Sequence, residues 1–215
     1  MTNGEIFSHV DHTLLRADAT LGEIFELCDE AIAYCTASVC IPPSYVRAVR
    51  GKYPELNICT VIGFPLGYAT ASVKLAELWQ ADADGADEFD VVVNLGSVKN
   101  GDFDAVSAEL ELLRDAAGGK VLKVIIETCY LTEAEKISMC EIVTNIGANY
   151  IKTSTGLGSA GAEISDIMLF RNHIGGKVKI KASGGIRTRE AMESFLSAGC
   201  DRLGTSSAVK VLVNL

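Results

Sequence analysis

Four charged residues lie inside short apolar runs, where charged side chains are uncommon. Asp90 stands in the run EFDVVVN, Lys123 in VLKVIIE, Lys152 in YIKTS and Lys181 in VKIKAS. Side chains on a strand alternate between its two faces, so each charged residue lies opposite the apolar face of its own strand. If the apolar faces pack on helices, all four charged side chains point into one shared interior.

A group of buried lysines suits covalent attack on a carbonyl carbon. A lysine must lose its proton before it can attack, and its ordinary pKa of about 10.4 opposes that loss at neutral pH. A second ammonium about 5 Å away, at an effective dielectric constant of about 20, contributes about 3 kcal/mol of repulsion and lowers the pKa by about two units. The pattern therefore predicts a lysine that forms a Schiff base and a cationic neighbour that lowers its pKa. Asp90 would move protons or balance charge.

The ordinary alternative for each lysine is a position at a strand end with the ammonium in solvent. Three lysines on neighbouring strands, together with Asp90 and Glu127, make this alternative less favourable. Desolvating each charge costs several kcal/mol, so charges are not gathered in an interior for stability. Lys179 lies two residues before Lys181, about 6.6 Å along the strand, and receives no role.

Loops rich in glycine and hydroxyl side chains follow the last three predicted strands. Glycine lets backbone amides approach an anion closely, and in barrels the loops after the last two strands often hold a phosphate. Small residues also make tight turns without any ligand, but two such loops at these positions favour a phosphorylated substrate. Cys40, Lys123 and Thr153 are predicted to line the same pocket. The three loops are Thr153-Ser154-Thr155-Gly156, Ser183-Gly184-Gly185 and Gly204-Thr205-Ser206-Ser207.

Short β-branched runs alternate with amphipathic helical segments along the chain. Thr20 with Glu23 and Thr132 with Glu135 form capping boxes that predict helix starts, and Pro43 and Thr188 suit two more. Eight strand–helix units of about 27 residues favour a closed (β/α)₈ barrel over an open doubly wound sheet. We predict one α/β domain over residues 1–215. The predicted strands lie near 9–14 and at 39–41, 57–63, 88–94, 121–127, 150–154, 178–183 and 202–204.

The charge and cysteine content narrow the possible partners. Lys and Arg number 19 and Asp and Glu number 28, a net charge of −9, which disfavours nucleic acid and membrane surfaces as partners. Seven cysteines form no C-x-x-C pair, so we expect reduced thiols in a cytoplasmic protein. We expect no signal peptide, and the longest uncharged run, 56–73, is interrupted by glycine and proline, so no membrane span is predicted.

Two other motifs suggest ligands less strongly. Residues 156–161 match the dinucleotide fingerprint G-x-G-x-x-G, but that fingerprint belongs in a first βαβ unit with an acidic residue about 20 positions later. Here the motif occurs late in the chain, and lysines occupy the later region. The three histidines fall on different faces and elements, so a zinc site is not expected. We predict neither a cofactor nor a metal.

These segments together resemble deoxyribose-phosphate aldolase, a family of class I aldolases built on a (β/α)₈ barrel. The resemblance extends in the family's order from about residue 9 to residue 209, nearly the whole chain. IKTSTG followed by KASGG at this separation is highly specific. The matching segments are DHTLL (11–15), VCIPPSYV (39–46), VIGFPLG (61–67), EFDVVVNLG (88–96), LKVIIET (122–128), YIKTSTG (150–156), KASGGIRT (181–188) and RLGTSSAV (202–209).

The resemblance implies a role for each matching residue. Lys152 would form the imine, Lys181 would lower its pKa and assist proton transfer, and Asp90 would act in the proton relay. The implied reaction is the reversible cleavage of 2-deoxy-D-ribose 5-phosphate to D-glyceraldehyde 3-phosphate and acetaldehyde in deoxyribonucleotide catabolism. It needs no metal, and a cytoplasmic homodimer or homotetramer is implied. The implied phosphate-binding residues, acting largely through backbone amides, are Gly156, Gly184, Gly185, Gly204, Ser206 and Ser207.

Two departures from the family pattern and two alternative functions are open. Family members commonly read C-V-N-P where this chain has Pro42 in place of the asparagine, which removes a side-chain amide. Some members carry a C-terminal tail ending in tyrosine, where this chain ends at Asn214-Leu215. Neither change removes the imine chemistry. The alternatives are a sugar-phosphate-binding barrel without turnover, and a class I aldolase or transaldolase with another donor.

Overall fold

Eight parallel strands close into a barrel in the computed structural model, which describes residues 1–213. The strands pair in chain order and β8 pairs back to β1, so the predicted (β/α)₈ fold is confirmed. The chain end at 214–215, compared above with the family's tail, lies outside the described residues. The strands are β1 (Val10–Thr13), β2 (Ser38–Ile41), β3 (Ile58–Ile62), β4 (Glu88–Val92), β5 (Val121–Ile125), β6 (Tyr150–Lys152), β7 (Lys179–Ser183) and β8 (Arg202–Thr205).

A helix follows every strand and covers the outside of the barrel. The two predicted capping boxes are present at Thr20 and Thr132, and Thr188 caps the helix that precedes β8. Pro43 begins a short 3₁₀ turn that leads into the next helix. Within residues 1–213 the helices are α1 (Asn3–Phe7), α2 (Leu21–Tyr34), α3 (Val46–Lys52), α4 (Ala71–Ala83), α5 (Leu95–Lys99), α6 (Phe103–Ala117), α7 (Glu133–Asn145), α8 (Ile164–His173), α9 (Arg189–Ala198) and α10 (Ala208–Val213).

All eight predicted strands occur, but some end earlier than predicted. β4 ends at Val92, and Asn94 instead caps α5 by accepting a hydrogen bond from the backbone amide of Ser97. β5 ends at Ile125, because Glu127 adopts left-handed backbone geometry with φ of 51°. That conformation is uncommon for a residue with a β-carbon and cannot continue a strand.

The strand faces separate apolar from charged side chains as the alternation predicts. Phe89 on β4 and Leu122 on β5 are fully buried in the main apolar core, which includes Leu78 of α4 and Leu110 of α6. The opposite face points into the barrel and contains the charged residues. Strand register places Asp90 beside Lys123, and Lys152 beside Lys181.

The described residues include no helix of the length and hydropathy needed to cross a membrane.

Candidate active site

Asp90 is the centre of a group of charges inside the barrel. Its Oδ2 atom lies 2.6 Å from the Nζ atoms of both Lys152 and Lys181, and its Oδ1 atom lies 2.9 Å from Nζ of Lys123. Asp90, Lys123 and Lys181 have no exposed surface, and Lys152 is 2% exposed. The four residues selected from the sequence are therefore brought into direct contact.

Two further carboxylates and an arginine complete this group from the amino-terminal side of the strands. Asp11 on β1 contacts Lys181, accepts a hydrogen bond from Ser38 at 2.7 Å, and pairs with Arg202 at 2.5 Å. Glu88 on β4 contacts Lys123 at 2.5 Å and Arg202 at 3.3 Å. The sequence reasoning assigned none of these three a role. The parity that selected Asp90 also selects Glu88, two residues earlier on the same face.

Interposed carboxylates change the electrostatics expected from the sequence. Burial alone would raise the pKa of Asp90, but the three neighbouring lysines outweigh it and hold that pKa well below its ordinary value. Burial alone would lower the pKa of Lys181, but Asp11 and Asp90 outweigh it and raise that pKa. The sequence argument counted only repulsion between two ammonium groups. The structure adds an anion in contact with both.

The group as a whole contains one more cation than it has anions. Its carboxylates are Asp11, Glu88 and Asp90, three in number, and its cations are Lys123, Lys152, Lys181 and Arg202, four in number. A surplus charge in a low-dielectric interior is costly unless a proton leaves. The interior of the barrel therefore has a net positive formal charge beneath the cavity.

A cavity of about 260 Å³ opens above this group at the carboxyl ends of the strands. Lys152 lines it, and Asp90 and Lys181 lie beneath it. Every residue that the resemblance implies in phosphate binding also lines it: Gly156, Gly184, Gly185, Gly204, Ser206 and Ser207. Thr155, Ser183 and Thr205 of the same three loops line it as well. Lining residues not selected from the sequence are Thr13, Leu14, Leu15, Arg16, Phe64, Leu157, Ile186 and Arg187.

Three residues predicted to line the pocket do not border this cavity. Cys40 packs in a small cluster with Cys59 and Val61 inside the barrel. Lys123 is buried among carboxylates one level deeper than Lys152. The hydroxyl of Thr153 donates a hydrogen bond to the carbonyl of Ser183 at 3.2 Å and accepts one from its amide at 3.1 Å, which ties together the loops after β6 and β7. The alternation of side chains along a strand predicts which residues point into the barrel, but it does not predict how close to the cavity each of them lies.

The glycines of the dinucleotide-like motif pack one loop against another. A β-carbon on Gly161 would lie 2.2 Å from the carbonyl oxygen of Gly184, and one on Gly184 would lie 2.9 Å from the α-carbon of Gly161. The backbone amide of Ala162 donates to the carbonyls of Ser183 and Gly184. Gly161 is explained by the close approach of two loops that both border the cavity, and Gly158 by its approach to the Glu127 carboxylate, which would lie 3.2 Å from a β-carbon there.

Glu127 holds the loop after β6 in place. Its carboxylate is 2% exposed and accepts hydrogen bonds from the amide of Thr155 at 3.1 Å and from the Thr155 hydroxyl at 2.5 Å. The hydroxyl in turn accepts from the amide of Leu157 at 3.1 Å. Glu127 therefore fixes the segment that includes Gly156 at the edge of the cavity. The role of Glu127 was hard to predict from the sequence, because the side-chain alternation was counted along a strand that ends two residues earlier, at Ile125.

Comparison with known proteins identifies the family. Residues 6–206 match the model of the DeoC/LacD family aldolases. The chain belongs to this family. It is 56% identical over 213 residues to the deoxyribose-phosphate aldolase of Clostridium botulinum strain Eklund 17B, which covers 99% of this chain and 96% of that relative. It is 54% identical over 210 residues to the deoxyribose-phosphate aldolase of Clostridioides difficile strain 630, covering 97% of this chain and 96% of that one.

Solved structures of aldolases share the fold closely. One, described as QR15, an aldolase, superposes with a TM-score of 0.94 at 36% identity and covers 98% of this chain and 95% of that one. The deoxyribose phosphate aldolase of Aeropyrum pernix, described as having a unique tetrameric structure, gives a TM-score of 0.89 at 32% identity over 99% of this chain and 92% of that one. The DeoC/LacD family members are aldolases, so the predicted enzyme class, a carbon–carbon lyase, is confirmed.

Proposed function

We propose that this enzyme is a class I aldolase that reversibly cleaves 2-deoxy-D-ribose 5-phosphate to D-glyceraldehyde 3-phosphate and acetaldehyde, as in deoxyribonucleotide catabolism. One observation carries the proposal. Of the interior lysines Lys123, Lys152 and Lys181, only Lys152 borders the cavity, and its amine contacts a carboxylate shared with Lys181. The same residue is thus accessible to a sugar aldehyde and placed beside groups that can exchange protons.

Lys152 is also the lysine least held by anions. Lys123 contacts the carboxylates of Asp11, Glu88 and Asp90, and Lys181 contacts two carboxylates, whereas Lys152 contacts Asp90 alone. Among the three interior lysines, Lys152 therefore breaks the fewest ion pairs when its amine moves to bind a ligand in the cavity. A neutral Lys152 amine is the nucleophile that a Schiff base needs.

The reaction then proceeds through covalent intermediates on Lys152. The amine attacks the open-chain aldehyde carbon C1, and loss of water gives an iminium. A proton from the Lys181 ammonium, passed through Asp90, helps the hydroxyl group leave as water, and the neutral Lys181 amine then takes up the proton of the C3 hydroxyl by the same route. The bond between C2 and C3 breaks, its electron pair moves towards the iminium nitrogen, and C3 leaves as the aldehyde of glyceraldehyde 3-phosphate. Protonation of the resulting enamine at C2, followed by hydrolysis, releases acetaldehyde and restores the amine.

The substrate phosphate is proposed to bind at the loops after β6, β7 and β8. Gly184 and Gly185 have φ of 85° and 78°, a geometry open to glycine that turns backbone amides towards a ligand. Gly156, Gly204, Ser206 and Ser207 line the same cavity as Lys152. A substrate with an aldehyde at one end and a phosphate at the other can therefore contact both regions at once.

We also propose a homo-oligomeric assembly and a cytoplasmic location. The relative from Aeropyrum pernix is described as tetrameric, and a homodimer or homotetramer is proposed here. The seven cysteines are all free thiols in the described residues, which fits a reducing cytoplasm.

Borohydride reduction in the presence of acetaldehyde, followed by peptide mass spectrometry, tests the function. We expect a single ethyl adduct on Lys152 that is absent from Lys152→Ala. Lys74→Met is the matched control, because Lys74 is a fully buried lysine paired with Glu109 at 2.6 Å outside the cavity. If no lysine inside the barrel forms an adduct in protein that still binds deoxyribose 5-phosphate, the aldolase proposal is contradicted and a binding protein is favoured. An adduct formed with dihydroxyacetone but not with acetaldehyde would indicate a different donor.

A further inference from the structure

Two thiols in the barrel interior have no part in the proposed reaction. Cys40 on β2 and Cys59 on β3 are register partners on neighbouring strands, and neither has exposed surface. Their sulfur atoms and a carboxylate oxygen of Asp90 all lie within 4.8 Å of one another. The Cys59 thiol donates to Oδ1 of Asp90 at 3.1 Å. Three potential ligand atoms from three strands therefore converge on one point beneath the cavity.

Two sulfur ligands and one carboxylate oxygen match the preferences of zinc and of softer divalent cations. A tetrahedral ion with sulfur bonds of about 2.3 Å and oxygen bonds of about 2.1 Å needs its ligand atoms about 3.5–3.8 Å apart. The present atoms reach that spacing through small side-chain movements.

Charge does not exclude a cation from this place, although lysines surround it. A divalent ion that replaces the two thiol protons leaves the formal charge of the interior unchanged. Lys123, whose Nζ lies 3.2 Å from the sulfur of Cys59, must withdraw, and it keeps its ion pair with Glu88 when it does.

The thiols are separated from the cavity by a thin apolar layer. Leu15 and Phe64 pack against the cluster of Cys40, Cys59 and Val61, and both side chains also line the cavity. An ion that enters the cavity thus needs only side-chain rotation in this layer to reach the sulfur atoms.

We propose that Cys40, Cys59 and Asp90 form an inhibitory site for Zn²⁺ and similar divalent cations. A metal ion bound at Oδ1 of Asp90 withdraws electron density from the carboxylate that Lys152 and Lys181 share, so proton transfer through Asp90 and turnover stop while the ion remains. The site is independent of substrate, and metal binding is measurable whether or not the protein cleaves a sugar.

Cadmium titration of the reduced protein tests the site, because thiolate ligation gives a near-ultraviolet charge-transfer band. The experiment uses a Cys35→Ser/Cys129→Ser background, which removes the exposed and the half-exposed thiol. We expect the band to saturate at one ion per chain, Zn²⁺ to compete for the same site, and inhibition by Zn²⁺ to be reversed by EDTA. Cys59→Ala in this background is expected to lose the band and to weaken Zn²⁺ inhibition at least about tenfold relative to its own metal-free activity.

Two further variants keep the test decisive. Cys59→Ser retains a hydrogen-bond donor near Asp90 but offers a poor ligand, so it serves if the alanine variant folds badly. Cys140→Ala removes a buried thiol on α7 that belongs to the main apolar core and not to the cluster of Cys40 and Cys59, and it is expected to retain both band and inhibition. Absence of a stoichiometric band, or equal weakening in Cys140→Ala and Cys59→Ser, would overturn the proposal. Loss of Zn²⁺ inhibition in the background variant alone would assign the effect to surface thiols and overturn it too.

Discussion

One oxygen atom of Asp90 lies 2.6 Å from the amine of Lys152, and the same atom lies 2.6 Å from that of Lys181. A proton can therefore pass between the two amines through a single carboxylate. In Asp90→Asn the amide cannot take up a proton, so we expect kcat/KM to fall by about 10²–10⁴-fold. A coupled assay of glyceraldehyde 3-phosphate release measures the loss.

A buried carboxylate elsewhere provides the control for Asp90→Asn. Asp166 on α8 is 4% exposed and pairs with Lys136 at 2.5 Å, outside the cavity. Asp166→Asn is expected to lose stability but to keep near wild-type turnover per folded molecule. Comparable activity in the two variants would show that Asp90 has only a structural role.

The surplus of one cation predicts how interior substitutions move the pH profile. Lys123→Met removes a cation and makes the group neutral, so the half-maximal pH of imine formation is expected to rise. Glu88→Gln removes an anion and increases the surplus, so the half-maximal pH of imine formation is expected to fall. Both changes alter a buried charge close to Lys152, so each shift is expected to be about one pH unit or more.

The rate of borohydride-trapped imine formation, measured against pH, checks this pair of variants. Neither Lys123 nor Glu88 borders the cavity, and both substitutions break a buried ion pair, so general loss of stability affects them alike. Opposite shifts of the half-maximal pH are expected. Shifts in the same direction would rule out control by the surplus charge.

The alternation of side chains along each strand correctly predicted the face that contains the reactive residues. It did not predict that the carboxylates of Asp11 and Glu88 belong to the same group. Asp90, Lys123, Lys152 and Lys181 were each visible as a charge opposite an apolar strand face. Asp11 was visible only as the first residue of a recognisable segment, because its strand is four residues long and has no clear alternation. Its contact with Lys181 joins β1 to β7, and local periodicity contains no information on which strands a barrel brings together.

How far each side chain lies from the cavity, measured along its strand, could not be predicted from the sequence either. Cys40, Lys123 and Thr153 were placed on the correct interior or loop, yet none borders the cavity. The stagger of strands in a closed barrel sets this depth, and it depends on the whole sheet. Glu127 shows a different limit, since its left-handed backbone removed it from the strand on which its parity was counted.

Glu127→Gln is expected to weaken phosphate binding without changing the chemistry. The carboxylate holds the Thr155 amide and hydroxyl, and an amide side chain cannot accept both with the same geometry. The loop that includes Gly156 should then lose its fixed position. We expect KM for deoxyribose 5-phosphate to rise about tenfold, the cost of roughly one hydrogen bond to a charged group, with kcat little changed.

Unphosphorylated 2-deoxyribose separates positioning of the phosphate loop from a general defect. Its kcat/KM should be the same in Glu127→Gln as in the wild type. Glu163→Gln, an exposed carboxylate in the same loop, is expected to leave both substrates unaffected. An equal loss on both substrates would place Glu127 in the chemistry or in the stability of the barrel instead.

The buried carboxyl group of Asp11 is expected to make the free energy of unfolding depend on pH in the acid range. Burial alone would raise the pKa of Asp11, but Lys181, Lys123 and Arg202 lower it below its ordinary value. A carboxyl group of this kind stabilises the fold above its unfolded pKa of about 3.9, and that stabilisation is lost as pH falls towards the folded pKa. We therefore expect wild-type stability to decline below about pH 4, with Asp11 contributing about 1.4 kcal/mol per pH unit.

Urea unfolding between neutral and acid pH measures this contribution. Asp11→Asn should be less stable by about 3–5 kcal/mol at neutral pH, because Lys181 and Arg202 lose a buried partner. Its stability should also fall less steeply with acid, since one titrating group is gone. Asp104→Asn, at an exposed position on α6, should keep the wild-type slope. An unchanged slope in Asp11→Asn would mean that Asp11 binds its proton equally well in the folded and the unfolded chain, and the ion pairs with Lys181 and Arg202 would then not be the source of acid sensitivity.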